Sequence, residues 1–268
     1  MSGIGIWESS IQRPQHGPHE SRLTNEHLSR AGDVTLDKTF LDDCTFGSSS
    51  DLAGCLVSGQ PFPQTPSNLQ TALNVKLWLL LPVQPFGVGK SRLATVLSRP
   101  ARALLSQQML AHVLTQTQAA NVLTGILVIS RDPAALAQAA AAGAMAVREK
   151  RRGLNAALTQ ARAVAMAHGA QAVLALPADL PLLTAADIQR LVLAGSAGNG
   201  VVIAPSRDGG TNALLLRPPQ AIDFAFGPES SARHQALAQS AGLTCQLVES
   251  PTLAFDVDWP EDLQGFSF

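Results

Sequence analysis

The sequence predicts an α/β protein with a mainly parallel sheet. Short, nearly continuous apolar runs recur from Val75 onward and alternate with helical stretches of about 10 to 18 residues. Residues suited to capping stand where the helical periodicity begins. Loops containing Gly, Lys or Asp follow the ends of the apolar runs, and those ends are where open α/β sheets place their crevice.

In order along the chain, NVKLWLLLPV reads as a strand covered on both faces. Ser98 and Pro100 open a helix to about Ala120, with Leu105, Met109 and Val113 on one face. GILVIS at 125–130 is the second strand. Asp132-Pro133 caps an alanine-rich helix that stops at Gly143, and AMAV at 144–147 is a short third strand. The segment 153–169 is a helix ending on a glycine, followed by the strand QAVLALP at 171–177. Thr184-Ala-Ala-Asp187 forms a capping box for a helix over 185–194. VVIAPS (201–206), NALLLRP (212–218), TCQLVES (244–250) and LAFDV (253–257) complete the strand candidates.

Residues 1–73 have a different character. They carry four basic and eight acidic residues, mix Ser, Gln, Pro and Asp without periodicity, and lead through SGQPFPQTPSN into the first strand. The expected organisation is therefore an irregular extension over 1–73, disordered or linker-like, and one domain over 74–268. Across all 268 residues, 19 basic and 20 acidic groups give a net charge of −1, which offers no attraction for nucleic acid or an anionic membrane. With nine Phe, three Trp and no Tyr, stacking platforms are poorly supplied. Cys44, Cys55 and Cys245 form neither a metal spacing nor an even disulfide set. His16 and His19 have no further ligands at a metal-site spacing, and no secretory or membrane-spanning run occurs, so a cytoplasmic protein is expected.

Five strings carry chemistry. Gly87-Val88-Gly89-Lys90-Ser91 follows a strand, but the glycine a P-loop needs at 84 is Gln84, and Pro85 removes a backbone N–H. A general phosphate-binding loop and a plain lysine turn both remain readings, with Lys90 and Arg92 as cations for a triphosphate. Asp179 in LPADLPLL sits just past a strand, where a carboxylate suits Mg²⁺. Asp256 and Asp258, in an extended FDVD segment, would face the same way, and Asp262 belongs to the first turn of a terminal helix. Arg207-Asp-Gly-Gly-Thr211-Asn212 is either a ligand-approach loop or a hairpin turn. In Phe226-Gly227-Pro-Glu-Ser230-Ser231-Ala-Arg-His234 a helix begins, and its free N–H groups can bind an anion or be capped by Ser230. His234 is either a ligand contact or a polar helix residue. No nucleophile elbow occurs, so carboxylates beside cations indicate metal-assisted phosphoryl or nucleotidyl transfer.

In their order, PVQPFGVGKSRLA, GLNAAL, LPADLPLL, GGTNALLLRPP, FGPESSARH and FDVDWPEDL resemble the guanylyltransferases of coenzyme F420 biosynthesis, from about Val75 to Leu263. That resemblance implies a nucleotidyltransferase-like open mixed sheet flanked by helices, and Mg²⁺-dependent joining of GTP to a small phosphorylated carboxylic acid. The acid would be 3-phospho-D-glycerate, phosphoenolpyruvate or 2-phospho-L-lactate. It also implies roles: Lys90 and Arg92 at the triphosphate, Asn155 at the base or ribose, Asp179 and Asp258 on the metal, and Thr211, Asn212, Gly227, Ser230 and His234 toward the acid. Ser231 replaces a frequent aromatic, and the extra room favours 3-phospho-D-glycerate. A homodimer is compatible with the resemblance. A molybdenum-cofactor or sugar-nucleotide type transferase, a P-loop NTPase and an inactive nucleotide-binding regulator are the alternatives.

Overall fold

A computed structural model of the chain describes residues 75–264. The extension over 1–73, with Cys44, Cys55, His16 and His19, lies outside the described residues. Seven strands form one sheet: β1 (Leu77–Val83), β2 (Gly125–Ser130), β3 (Met145–Arg148), β4 (Ala172–Ala175), β5 (Gly200–Pro205), β6 (Thr211–Arg217) and β7 (Thr244–Leu247). Their spatial order is β3-β2-β1-β4-β6-β5-β7. β1 pairs in parallel with both β2 and β4, and β2 with β3. β6 is antiparallel to both β4 and β5, and β5 is parallel to β7. Among the described strands, β6 alone is reversed, which makes a mainly parallel sheet a mixed one.

The helices are α1 (Arg99–Ala119), α2 (Pro133–Ala141), α3 (Leu154–Ala167), α4 (Ala185–Ala194), α5 (Ser230–Ser240) and the single turn α6 (Pro251–Ala254). They cover both faces because the strands alternate their apolar side chains. Leu77, Leu79 and Leu81 pack with α1, α2 and α4, while Trp78 and Leu80 pack with α3 and α5. Among the described residues no helix is long and apolar enough to cross a membrane.

The expected caps form. Ser98 accepts a bond from Ala101 N–H, Asp132 from Ala134 N–H, and Thr184 and Asp187 complete their reciprocal box. LAFDV is not a strand. Pro251 follows Ser250 at the first helical position, Ala254 N–H donates to Ser250 O at 2.8 Å, and α6 takes the first half of that segment. The terminal helix is a single 3₁₀ turn over Pro260–Leu263, where Asp262 accepts from the N–H groups of Asp258 and Trp259.

Asp187 does more than cap α4. Fully buried, it accepts from Thr184 N–H and Oγ1, from Ser250 Oγ and Thr252 Oγ1, and it pairs with Arg190. Burial raises its pKa, but the hydrogen bonds from Thr184, Thr252 and Ser250 outweigh it and hold the carboxyl below its ordinary value. This one carboxylate ties α4 to α6. Asp187→Ala leaves those donors without their acceptor and is expected to lower the unfolding free energy by about 3 kcal/mol. Urea denaturation measures it; a loss below about 1 kcal/mol would show that the network does not hold α6.

Candidate active site

Beyond Val83 the chain turns tightly, with Val88 and Gly89 N–H both donating to Pro85 O. Phe86 is buried and its N–H reaches Asp132, so the residue that caps α2 also grips this loop. Arg102, from α1, donates to Gly89 O at 3.1 Å and Lys90 O at 3.5 Å. Lys90 takes left-handed backbone angles (φ 56°, ψ 39°), uncommon for a residue with a side chain. A 3₁₀ turn over Ser91–Thr95 follows, and Leu93 and Leu97 seal it against α1 and Val257.

That path aims the Lys90 ammonium at two carboxylates. Its Nζ lies 2.5 Å from Asp179 Oδ2 and 3.1 Å from Asp258 Oδ1. Arg92 Nη1 lies 3.0 Å from the other Asp258 oxygen, and its guanidinium lies 4.6 Å from the Trp259 ring centre. Asp179 comes from the loop after β4. Asp258 comes from the extended segment after α6, held alongside by Val257 N–H donating to Asp179 O. The Lys90 side chain is only 8% exposed. Burial lowers its pKa, yet the charges of Asp179 and Asp258 overcome that and set it above the ordinary lysine value. Asp256 lies close by but pairs with neither cation. Burial, then the charges of Asp179 and Asp258, push its pKa up, against a bond from Asn212.

Lys90, Arg92, Asp179 and Asp258 line a cavity of about 580 Å³ at the carboxyl ends of β1 to β4. Here the order reverses, β2 and β3 lying on one side of β1 and β4 on the other, as at the ligand crevice of open α/β sheets. Glycine-lysine-serine leads into a short 3₁₀ turn rather than a long helix, unlike a P-loop.

The remaining sequence candidates gather around the α5 start. Asn155 spends both ends of its amide on Phe226, donating to its carbonyl and accepting from its N–H. Asn212 is buried and donates to Leu253 O. Gly227, at φ 132°, makes the turn whose carbonyl accepts from Ser230 N–H. The hairpin reading of the Arg207–Asn212 string holds: it turns β5 into β6, and Gly209 O accepts from Ser231 N–H. Ser231 is buried, and its hydroxyl lies 3.4 Å from the Gln235 amide nitrogen.

His234 is fully buried. Its Nε2 accepts from Ala225 N–H at 3.0 Å, so Nδ1 carries the proton and donates to Thr211 Oγ1 at 3.1 Å. Ser230 Oγ donates to the same Thr211 oxygen. Sequence reasoning did not find Arg131 and Glu149, which also line the cavity and pair at 3.0 Å. The signal available was position, each standing directly after a strand.

The comparisons decide the family. A family model described as "Guanylyl transferase CofC like" matches residues 77–267. The chain belongs to this CofC-like guanylyltransferase family. It is 44% identical over 190 residues to a phosphoenolpyruvate guanylyltransferase from Rubrobacter xylanophilus, covering 70% of this chain and 92% of that protein. It is 40% identical over 181 residues to a 3-phospho-D-glycerate guanylyltransferase from Phenylobacterium zucineum, covering 66% of this chain and 83% of the relative. In fold, a putative nucleotide-diphospho-sugar transferase from Desulfovibrio desulfuricans G20 superposes with a TM-score of 0.59 at 18% identity, over 70% of this chain and 84% of that one. This CofC-like chain is accordingly a nucleotidyltransferase with the nucleotidyltransferase-like mixed sheet.

His234 gives the site a pH limit. Burial, reinforced by Arg233, lowers its pKa to about 4 from the ordinary 6.5. The unfolded chain therefore binds a proton near pH 6.5 that the folded one refuses until about pH 4. Its contribution is complete above pH 6.5 and drains away as pH falls toward 4, to a total of about 3 kcal/mol. Thermal melts between pH 7.5 and about 4.5 should show a shallower pH slope in His234→Gln than in wild type. Parallel slopes would refute this.

Proposed function

We propose that the chain transfers a guanylyl group from GTP to a small phosphorylated carboxylic acid, releasing pyrophosphate, as a step of coenzyme F420 biosynthesis, with residues 74–268 as the transferase domain. The observation that carries this reading is the Lys90 ammonium between Asp179 and Asp258, in a cavity at the switch point of a CofC-like chain. The family match begins at residue 77, which supports the domain assignment.

The two carboxylates suit Mg²⁺. Their oxygens already converge on one cation, the ammonium, and an ion there would complete its shell with water and phosphate oxygens. Bound magnesium would supply charge neutralisation at the α-phosphate.

The chain's own groups do the rest. Lys90 and Arg92 face the triphosphate and neutralise charge that builds on the leaving pyrophosphate. A phosphate oxygen of the acid attacks the α-phosphorus in line, and the bond to the β-phosphate bridging oxygen breaks. That nucleophile is already ionised near neutral pH, so no general base is needed. Thr211, Gly227 and Ser230 receive the acid, and His234 and Asn155 hold those receivers in place.

For the acceptor we favour phosphoenolpyruvate, the substrate named for relatives at 44% identity. The buried Ser231 hydroxyl oxygen accepts from the Gln235 amide of its own helix at 3.4 Å, and this bond gives no reason to prefer 3-phospho-D-glycerate.

Pyrophosphate release from GTP with each of the three acids tests the reading. Phosphoenolpyruvate is expected to give the highest kcat/KM, and no acid-dependent release would overturn the assignment. Asp179→Asn should keep the fold and lose at least about 100-fold in turnover. Near-normal turnover at saturating Mg²⁺ would remove the carboxylate pair from the mechanism.

A further inference from the structure

The far end of the cavity holds a half-buried ion pair that the transfer chemistry leaves unused. Glu149, at the end of β3, is only 9% exposed, yet it lines the cavity. Arg131 Nε, from the end of β2, donates to Glu149 Oε2 at 3.0 Å, while Oε1 has no partner among the described residues. The pair is not needed to join the two strands. They are already in register through Ser130 and Arg148, and Glu149 N–H donates to Ser130 O.

Its surroundings suit a flat heterocycle. Val88 and Leu154 line the same cavity and are 62% and 46% exposed, unusual for large apolar side chains unless something covers them. Glu149 stands three strands away from the Asp179 loop, about 14 Å at ordinary strand spacing. That is the scale of the reach from an α-phosphate to the far edge of a purine.

The geometry points to Glu149, oriented by Arg131, as the residue that reads the guanine base. This deepens the guanylyl-transfer reading and rests on it. Guanine's Watson–Crick edge carries an acceptor, O6, beside two donors, N1–H and the 2-amino group. The pair offers the complement, since Arg131 keeps N–H groups for O6 and the Glu149 carboxylate has lone pairs for both donors. Adenine would turn its N1 lone pair toward the carboxylate and leave a buried acceptor unmatched.

Base preference tests this with the full-length chain. Pyrophosphate release is measured with GTP, XTP and ITP at saturating acceptor, in wild type and in Glu149→Gln. Xanthine carries a carbonyl where guanine has its 2-amino group, and a glutamine amide can donate to it while still accepting from N1–H. Wild type is expected to favour GTP over XTP by at least about 100-fold in kcat/KM, and the variant to reverse that preference. If the pair only braces the strands, both nucleotides fall together and the ratio stays fixed, which overturns the inference. Should the variant not fold, wild type decides with ITP, which lacks the 2-amino group. A fall of about tenfold or more relative to GTP supports the assignment, and equal use overturns it. Acid-dependent GTP turnover with an unchanged ratio removes Glu149 alone, whereas no GTP turnover removes the transfer reading itself.

Discussion

A lysine ammonium clasped by two carboxylates is the constraint on which the rest of the crevice depends. Burying that amine opposes its charge, and the approach of Asp179 and Asp258 restores it. The arrangement requires three chain segments to arrive together: the turn after β1, the loop after β4 and the extended stretch after α6. Each has its own fastening. Arg102 and Asp132 hold the first, the backbone bond from Val257 to Asp179 joins the other two, and Leu93, Leu97 and Val257 fill the space beneath. Arg207 adds a brace, donating to Asp256 O and Asp262.

The helix starts were legible in the sequence because capping is local chemistry. Ser98, Asp132 and Thr184 each satisfy N–H groups within three residues. LAFDV misled because its composition suits a strand, whereas its conformation is decided by Pro251 and by Asp187, a residue far away in sequence. No window of residues contains that information.

The site was legible to the same degree. Lys90, Arg92, Asp179 and Asp258 could be picked out because charged residues in loops after apolar strands stand at the crevice edge. What the sequence withheld was partnership. Asn155 and His234 have side chains suited to ligands, but their polar atoms are engaged with Phe226, Ala225 and Thr211. Arg131 and Glu149 follow strands too, but a solvated charge and a half-buried pair read alike until their distance is known.

The reversal of β6 has an architectural consequence. Strands β1 to β4 bring their last residues to the crevice, whereas β6, running the other way, brings its first, Thr211 and Asn212. The tip of the β5–β6 hairpin therefore lies along the same rim as the loops after β1 and β4. One flank of the rim is welded into the parallel sheet through the lysine clasp, and the other is a hairpin tip resting on the first turn of α5. Such a molecule can be retailored on the second flank, residue by residue in the hairpin, while the cation and carboxylates of the first flank stay where they are.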